Sequence, residues 1–386
     1  MMSEDAALRR DASVDAAPAP SRWGATNRFG RFVLVAVGLF LLSGCGQLSY
    51  YSQSIRGQVG LMGKRQPVSE VIASPDTAPD VRTKLEETQR IRDFAVSELK
   101  LPQNESYRLY ADLGRPYAVW NVVATPEFSL QPKQWCFLVV GCLAYRGYFA
   151  EEDAQRFATG LRQEGMDVVV SGIRAYSTLG WFDDPVLNTF LDLPRFRLAG
   201  LIFHELAHQR LYIDNDSTFN EGFATALQIA GVNRYLERYG SPAERERHRR
   251  ARQRQRDFLA LVEKTRERLR DLYDEPLEPA VMRAAKREVL EGLRAEYARL
   301  RERWGGYAGY DAWFAGDLNN ARLAAVATYQ DYVPAFLKLL ESVGGDFEAF
   351  YRAAEALGSL PPAERRKRLR LLLSPGPPDS ATPPGA

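Results

Sequence analysis

The sequence predicts an α+β fold, with an antiparallel sheet in the N-terminal half and a mostly helical C-terminal half. Three observations support this prediction. Between residues 107 and 177, short β-branched or aromatic runs are bounded by Gly, Pro and Asn, which is typical of antiparallel strands. From Leu187 onward, apolar residues recur at helical spacing. Within residues 238–304, two apolar stripes flank the proline-containing segment 275–279, which indicates a long antiparallel helical hairpin.

The composition excludes several classes of protein. With 386 residues, 45% hydrophobic and 26% charged, the chain is neither a disordered tail nor a small disulfide-stapled scaffold. Its 51 Lys+Arg and 49 Asp+Glu leave a formal net charge of +2, so we expect no nucleic-acid partner. The arginine-rich start of the hairpin also contains acidic residues, and we interpret it as a solvated helix face.

The N-terminal segment predicts export. An apolar run over residues 32–42 follows Arg28 and Arg31, and it is shorter than the roughly 20 residues that span a bilayer. It ends in Leu-Ser-Gly-Cys45, which resembles the lipobox of bacterial lipoproteins. The resemblance implies cleavage before Cys45, lipid on its thiol, and a periplasm-facing protein anchored to the bacterial membrane, with the outer membrane favoured. The alternative is a buried hydrophobic strand with a free thiol.

The elements that follow are read from local patterns. Apolar residues at helical spacing after Thr77 predict a helix that ends near Leu99. A second helix over 151–164 interrupts the strands. The predicted strands are 117–123, 137–140 and 166–170, and the last helical sections are 318–340 and 347–357.

Two cysteines, Cys136 and Cys142, lie six positions apart around Gly141. In an exported protein such a pair is expected to form a disulfide that closes a hairpin-like loop. The alternative is two buried thiols. Because no other Cys or His is near them in sequence, we do not expect them to bind a metal.

The segment around His204, Glu205 and His208 carries the most chemical information. Since it contains no Gly or Pro between residues 201 and 211, it predicts a helix on which both imidazoles share one face, a turn apart. Glu205 then lies beside an ion that the two histidines bind. This His-Glu-x-x-His pattern predicts one Zn²⁺.

A catalytic zinc needs a third protein ligand. His248 lies in the arginine-rich helix, where a ligand would be badly placed, so we expect a carboxylate. Glu221 begins a second helical pattern, whereas Asp214 has the spacing of a metzincin ligand. Metzincins need a Gly at the position occupied by Leu211, because the chain turns there with positive φ. Glu221 is therefore favoured over Asp214.

The two motifs together carry a resemblance. His204-Glu-Leu-Ala-His208 followed by Asn220-Glu-Gly-Phe-Ala224 resembles the gluzincin arrangement of thermolysin and the alanyl aminopeptidases. With residues 135–149, 175–185 and 318–321, the chain is similar to a family of bacterial lipoproteins regarded as zinc aminopeptidases. The resemblance implies a gluzincin-like metallopeptidase fold. The chain departs from the alanyl aminopeptidases in having no Gly-x-Met-Glu-Asn segment.

The mechanism that the resemblance implies is zinc-dependent hydrolysis of peptide bonds. Glu205 acts as general base and then as general acid. A tyrosine is expected to stabilise the oxyanion, since no histidine is spare, and Tyr329 and Tyr332 are the candidates. The alternative for each is an ordinary half-buried tyrosine.

Substrate contacts are expected from three places. Residues 176–180 have strand-like composition and, as an edge strand carrying Ser177 and Gly180, would pair with a peptide. Asp183 and its neighbour Asp184 are candidates for holding a free amino terminus, with a turn role before Pro185 as the alternative. Asn319 and Asn320 are further candidates.

These predictions divide the chain into five segments and favour an aminopeptidase. The alternatives are an endopeptidase of the same fold and a zinc-containing envelope scaffold that binds a protein partner through the hairpin. The segments are a lipoprotein signal peptide (1–44), a lipidated tether (45–76), a mixed upper subdomain with the edge strand (77–186), a helical zinc-site subdomain (187–373) and a disordered tail (374–386).

Overall fold

The computed structural model describes residues 50–137, 141–175, 177, 183–327 and 332–373. The chain divides into two units, Met1–Ile55 and Arg56–Ala386. In the first unit, the described residues 50–55 are helical. The predicted signal peptide, Cys45 and the tail 374–386 lie outside the described residues.

The second unit is mainly helical and also contains short strands, a composition compatible with an α+β fold. Its helices are α1 (residues 56–62), α2 (Val68–Ala73), α3 (Pro79–Ser97), α4 (Glu151–Gln163), α5 (Asn188–Leu191), α6 (Arg195–Arg210), α7 (Ser217–Tyr239), α8 (Pro242–Tyr273), α9 (Pro279–Arg303), α10 (Asp311–Ala315), α11 (Asn320–Ala327), α12 (Val333–Ser342), α13 (Phe347–Gly358) and α14 (Pro362–Leu373). Its strands are β1 (Gln66–Pro67), β2 (Leu109–Ala111), β3 (Val119–Thr125), β4 (Trp135–Phe137), β5 (Gly141–Leu143), β6 (Arg146–Tyr148), β7 (Asp167–Ile173) and β8 (Val186–Leu187).

The strands form three small sheets. In the order β6-β3-β7, the central β3 pairs antiparallel with both neighbours, and Asn121 is in register with Gly147 and Ser171. β4 and β5 form an antiparallel pair. In the order β1-β2-β8, however, β2 pairs parallel with β8. This pair was not among the predicted strands, and a long crossover between β2 and β8 lets the two strands run in the same direction.

The predicted edge strand 176–180 falls mostly outside the described residues. Ser177 alone of that segment is described, and it has no regular secondary structure.

The main core is built around α3, α6, α7, α12 and α13. Its fully buried rings include Phe203, Phe223, Phe336 and Phe350. The same core contains Leu61, Val68 and Val71. We therefore correct the tether predicted over residues 45–76: the folded part begins earlier, because these apolar residues bury their side chains. The core also joins residues on both sides of 186/187, so the predicted subdomain boundary does not divide it.

Helices α8 and α9 correspond to the predicted hairpin. They pack through a second cluster that includes Phe258, Leu269 and Leu293, and the ring of Tyr297 stacks on Phe314 at 3.8 Å. A capping box of Ser241 and Glu244 starts α8. Across the described residues, we find no helix with the length and apolar character that crossing a bilayer requires.

The crossing of α6 and α7 sets the geometry of the candidate site. A methyl group at Gly231 of α7 would lie 2.9 Å from the ring of Phe203 in α6 and 2.7 Å from Leu99. On the other helix, a methyl group at Gly200 would lie 3.1 Å from the side chain of Gln228. The glycines therefore let the two helices approach closely.

Candidate metal centre

Two helices bring three potential metal ligands together. On α6, His204 and His208 lie a turn apart, and their Nε2 atoms are 3.2 Å from each other. Glu221, in the first turns of α7, places one carboxylate oxygen 3.2 Å from Nε2 of His204 and the other 3.7 Å from Nε2 of His208. All three ligand atoms lie within 4.8 Å of one another.

These separations fit a single zinc ion. Ligand atoms that each bind a tetrahedral zinc ion at about 2.1 Å lie about 3.4 Å from one another. The distance between the two imidazole nitrogens is 3.2 Å, and the distances from them to the two different oxygens of Glu221 are 3.2 and 3.7 Å, all close to that value. Two imidazole nitrogens and one carboxylate oxygen are also a donor set that zinc accepts, and three protein ligands leave a fourth position for water or substrate.

The structure groups Glu221, and not Asp214, with the two histidines. Leu211, which follows α6, has extended backbone with φ −150°. The positive-φ turn in this loop is at Asn215, where φ is 60°. The chain therefore leaves α6 extended and does not make the immediate turn that would return Asp214 to the histidines.

The ligands perturb one another's proton affinity. Burial, together with the neighbouring His204, lowers the pKa of His208 to about 4, although the charge of Glu221 acts in the opposite direction. Burial also lowers the pKa of His204, but its hydrogen bond with Glu221 and the negative charges of Glu205 and Glu221 outweigh this effect and raise it. For Glu221, burial raises the pKa, yet the interactions with both histidines bring it below its usual value. The Glu221 carboxylate is thus stabilised in its charged form, as a metal ligand must be.

Glu205 is the candidate general base. Burial is the main reason that its pKa is raised to about 7. The nearby His204 and a hydrogen bond with Ser177 lower this pKa, while the negative charges of Glu221 and Asp184 raise it. A carboxyl group with a pKa near neutrality is suited to accepting a proton and then returning it.

A buried polar network lies beside Glu205. The Ser177 hydroxyl donates to Asp184 at 2.9 Å, and the Asp184 carbonyl accepts from the backbone N–H of Tyr107 at 2.7 Å. The Tyr107 side chain is 2% exposed, and the residue has a positive φ of 65°. Gln209 of α6 donates to Ser106 at 3.2 Å and so links the network to the metal-site helix.

The predicted substrate residues before the zinc helix have different positions. Ser177 and Asp184 lie close to Glu205, as described above, and Asp184 is 2% exposed. Asp183 is exposed, and its carbonyl accepts a hydrogen bond from Arg65. Gly180 lies outside the described residues.

Asn319 and Asn320 have structural roles, which corrects the expectation that they contact substrate. Both are buried. Asn319 donates to the Val168 carbonyl of β7 at 3.2 Å. The Asn320 amide donates to the Glu127 carbonyl at 2.9 Å and accepts from the Tyr273 hydroxyl of α8 at 2.8 Å. They tie α11 to the sheet and the hairpin, and their amide groups are occupied by these bonds.

The structure describes one of the two predicted oxyanion tyrosines. Tyr329 lies outside the described residues. Tyr332 is buried next to the site helix, and its Cβ would be 3.0 Å from a methyl group at Gly222, the residue after Glu221. It therefore packs against the start of α7.

A third tyrosine, Tyr212, was missed from the sequence. It is 38% exposed, and its ring stands edge-on to His208, with the ring centres 6.4 Å apart. Burial and the negative charges of Asp214 and Glu221 raise its pKa. Helical spacing gave no signal for it, because α6 ends at Arg210 and Tyr212 follows in a loop that is extended at Leu211.

The predicted disulfide is confirmed: Cys136 and Cys142 are bonded and join β4 to β5. In the same hairpin, Gly141 has a φ of +72°, and a methyl group there would lie 2.9 Å from the side-chain oxygen of Asn215. The hairpin thus contacts the loop between α6 and α7, which also carries Tyr212.

Comparison with known proteins identifies a family. The Aminopep family model, described as “Putative aminopeptidase”, matches residues 49–369. The curated proteins contain no match to this chain, and neither do the solved structures. The matched segment includes His204, Glu205, His208 and Glu221 and covers more than four fifths of the sequence. The chain therefore belongs to the Aminopep family.

Proposed function

We propose that this protein is a zinc-dependent metallopeptidase that removes residues from the free amino termini of peptides. The observation that carries the proposal is the grouping of His204, His208 and Glu221, with the half-buried Glu205 beside it. The family description supports a peptidase.

The roles of the residues follow from their positions. His204, His208 and Glu221 would hold the ion. When zinc is bound, such a site supplies Lewis-acid activation of water and of the scissile carbonyl. Glu205 accepts a proton from the attacking water on its carboxylate and then delivers it to the leaving amine, so the carboxylate is restored at the end of the cycle.

Exopeptidase action requires a group that recognises the amino terminus of the substrate. Asp184 supports this part of the proposal, because its negative charge acts on Glu205 and the carboxylate is therefore near the reacting groups. A free substrate ammonium carries a positive charge that a nearby carboxylate favours. An N-acetylated substrate has no such charge, and we expect it to be hydrolysed more slowly.

The Glu205→Gln variant of the full chain tests the proposed reaction. The amide has a similar shape but does not accept the proton, so kcat for amino-acid p-nitroanilides should fall at least about 100-fold. Because Glu205 is not a ligand, the variant should keep the same zinc content. Glu237→Gln, at an exposed position of α7, is the matched control and should change neither quantity.

Full hydrolysis by the Glu205→Gln variant would contradict the proposed base. If the wild-type protein cut N-acetylated peptides as fast as free ones, it would be an endopeptidase.

A further inference from the structure

Tyr212 lies at the edge of the metal site and has an available hydroxyl group. Its ring is 6.4 Å from that of His208, and the charge of Glu221 acts on its phenol. At 38% exposed, the side chain is open to solvent on one side. Its hydroxyl makes no hydrogen bond with any other residue that the structure describes. A neutral phenol is a good hydrogen-bond donor, and this one is not committed to another group of the described chain.

The backbone on both sides of Tyr212 is fixed. Before it, the Leu211 N–H donates to the Ala207 carbonyl of α6 at 3.0 Å. After it, the Asn220 side chain makes two hydrogen bonds with Ile213: its oxygen accepts from the N–H, and its amide donates to the carbonyl, both at 2.8 Å.

Asn220 itself is well placed to act as a clamp. It is 2% exposed, and it directly precedes the ligand Glu221 in α7. The loop that carries Tyr212 is therefore attached to the same helical turn as the third ligand. This attachment limits the movement of Tyr212 relative to the metal site, which is the property that a transition-state contact requires.

We propose that the Tyr212 hydroxyl donates a hydrogen bond to the carbonyl oxygen of the scissile bond as negative charge develops there, and that Asn220 is the positioning residue that holds Tyr212 in place. The inference rests on the proposed peptidase function. No bond to Tyr212 is made or broken, and its proton stays on the phenol oxygen.

The first test is Tyr212→Phe, which removes only the hydroxyl. Loss of one donor to a developing oxyanion is expected to lower kcat about 100-fold, with KM changed less than about threefold. Zinc content should stay the same. Tyr239→Phe is the matched control, because Tyr239 is also exposed, at 50%, and lies at the far end of α7. An unchanged kcat in Tyr212→Phe would overturn the proposal.

A second readout does not depend on turnover. A phosphinic-acid peptide carries a tetrahedral, anionic centre, and its dissociation constant for the zinc-loaded protein can be measured by calorimetry. Tyr212→Phe should weaken this binding at least about tenfold, since hydrogen bonds to charged groups are the strong ones. If the variant binds as tightly as the wild type, or the wild type does not bind the compound, the proposal is wrong. A different outcome is also informative. If the wild type binds the compound more tightly than Tyr212→Phe but hydrolyses no peptide, the result contradicts the proposed function and leaves the role of the Tyr212 hydroxyl as a donor intact.

The test of Asn220 must distinguish a residue that positions Tyr212 from one that only stabilises the fold. If Asn220 acts through Tyr212, then Asn220→Ala lowers kcat, and the double variant with Tyr212→Phe is no slower than Tyr212→Phe alone. Variants with equal zinc content are compared. Additive losses would show that Asn220 acts independently of Tyr212.

Discussion

Lys286 shows how single side chains hold the hairpin against the sheet. Its ammonium donates to the Asp167 carboxylate of β7 at 2.6 Å and to the Glu127 carbonyl at 2.7 Å. The side chains of Lys286 and Asp167 are 9% and 17% exposed. The backbone N–H of Asn320 donates to the same carboxylate. This ion pair therefore joins α9, α11 and the sheet in a nearly dry environment.

We predict that Lys286→Met lowers the free energy of unfolding by about 3 kcal/mol, because removing one partner of a buried ion pair leaves the other charge uncompensated. Lys264→Met is the control on the same hairpin. Lys264 is 55% exposed and pairs with Glu296, so its loss should cost less than about 1 kcal/mol. Urea unfolding measures both values, and equal losses would contradict this account of the pair.

The site residues differ in how far the sequence could predict them. His204, His208 and Glu221 were predictable, because helical spacing and the chemistry of zinc restrict which side chains can share an ion. Tyr212 was overlooked, since it follows the helix in a loop whose direction depends on the distant Asn220. Asn319 was expected to contact substrate, but its amide makes hydrogen bonds within the fold. No local sequence pattern indicates such tertiary hydrogen bonds.

At the scale of elements, the close crossing of α6 and α7 places the third ligand beside the histidines. Gly231 makes this approach possible, because its position faces the fully buried Phe203 and Leu99. Phe203 directly precedes His204 in α6. A substitution that separates the two helices at this point would therefore also change the distance between Glu221 and the histidines.

Gly231→Ala should therefore destabilise the protein by about 1–3 kcal/mol, since an added methyl group overpacks a closed core. The gain of about 1 kcal/mol in helix propensity is included in this range. Urea or thermal unfolding measures the change. Gly292→Ala is the matched control in α9: a methyl group there meets no atom within 4 Å, and the variant should be slightly more stable than wild type. A Gly231→Ala protein as stable as Gly292→Ala would refute the packing argument.

The elements also differ in predictability. The helices of the hairpin follow from two apolar stripes, because each helix buries one face against the other. The parallel pairing of β2 with β8 depends on a crossover over many residues, and short strands give no local signal of their partner. Val68 and Val71 belong to the core. The residues around them are polar, and for this reason the predicted tether was too long.

At the scale of the whole molecule, one core of helices supports the metal site, while the β4–β5 hairpin contacts the loop that bears Tyr212. The disulfide is the one that the sequence predicted, and His204, His208 and Glu221 lie together as the motifs indicated. The lipid anchor at Cys45 and the periplasmic location remain predictions, as does a protein partner for the hairpin. These rest on sequence patterns alone.

The metal content of the purified full chain tests the central claim most directly. After zinc loading and dialysis, elemental analysis should find one zinc ion per wild-type chain. Glu221→Ala should lower zinc affinity about 100-fold through loss of a ligand, whereas Asp214→Ala should keep the wild-type affinity. A wild-type protein without zinc, or an Asp214→Ala variant that loses zinc as readily as Glu221→Ala, would contradict the account.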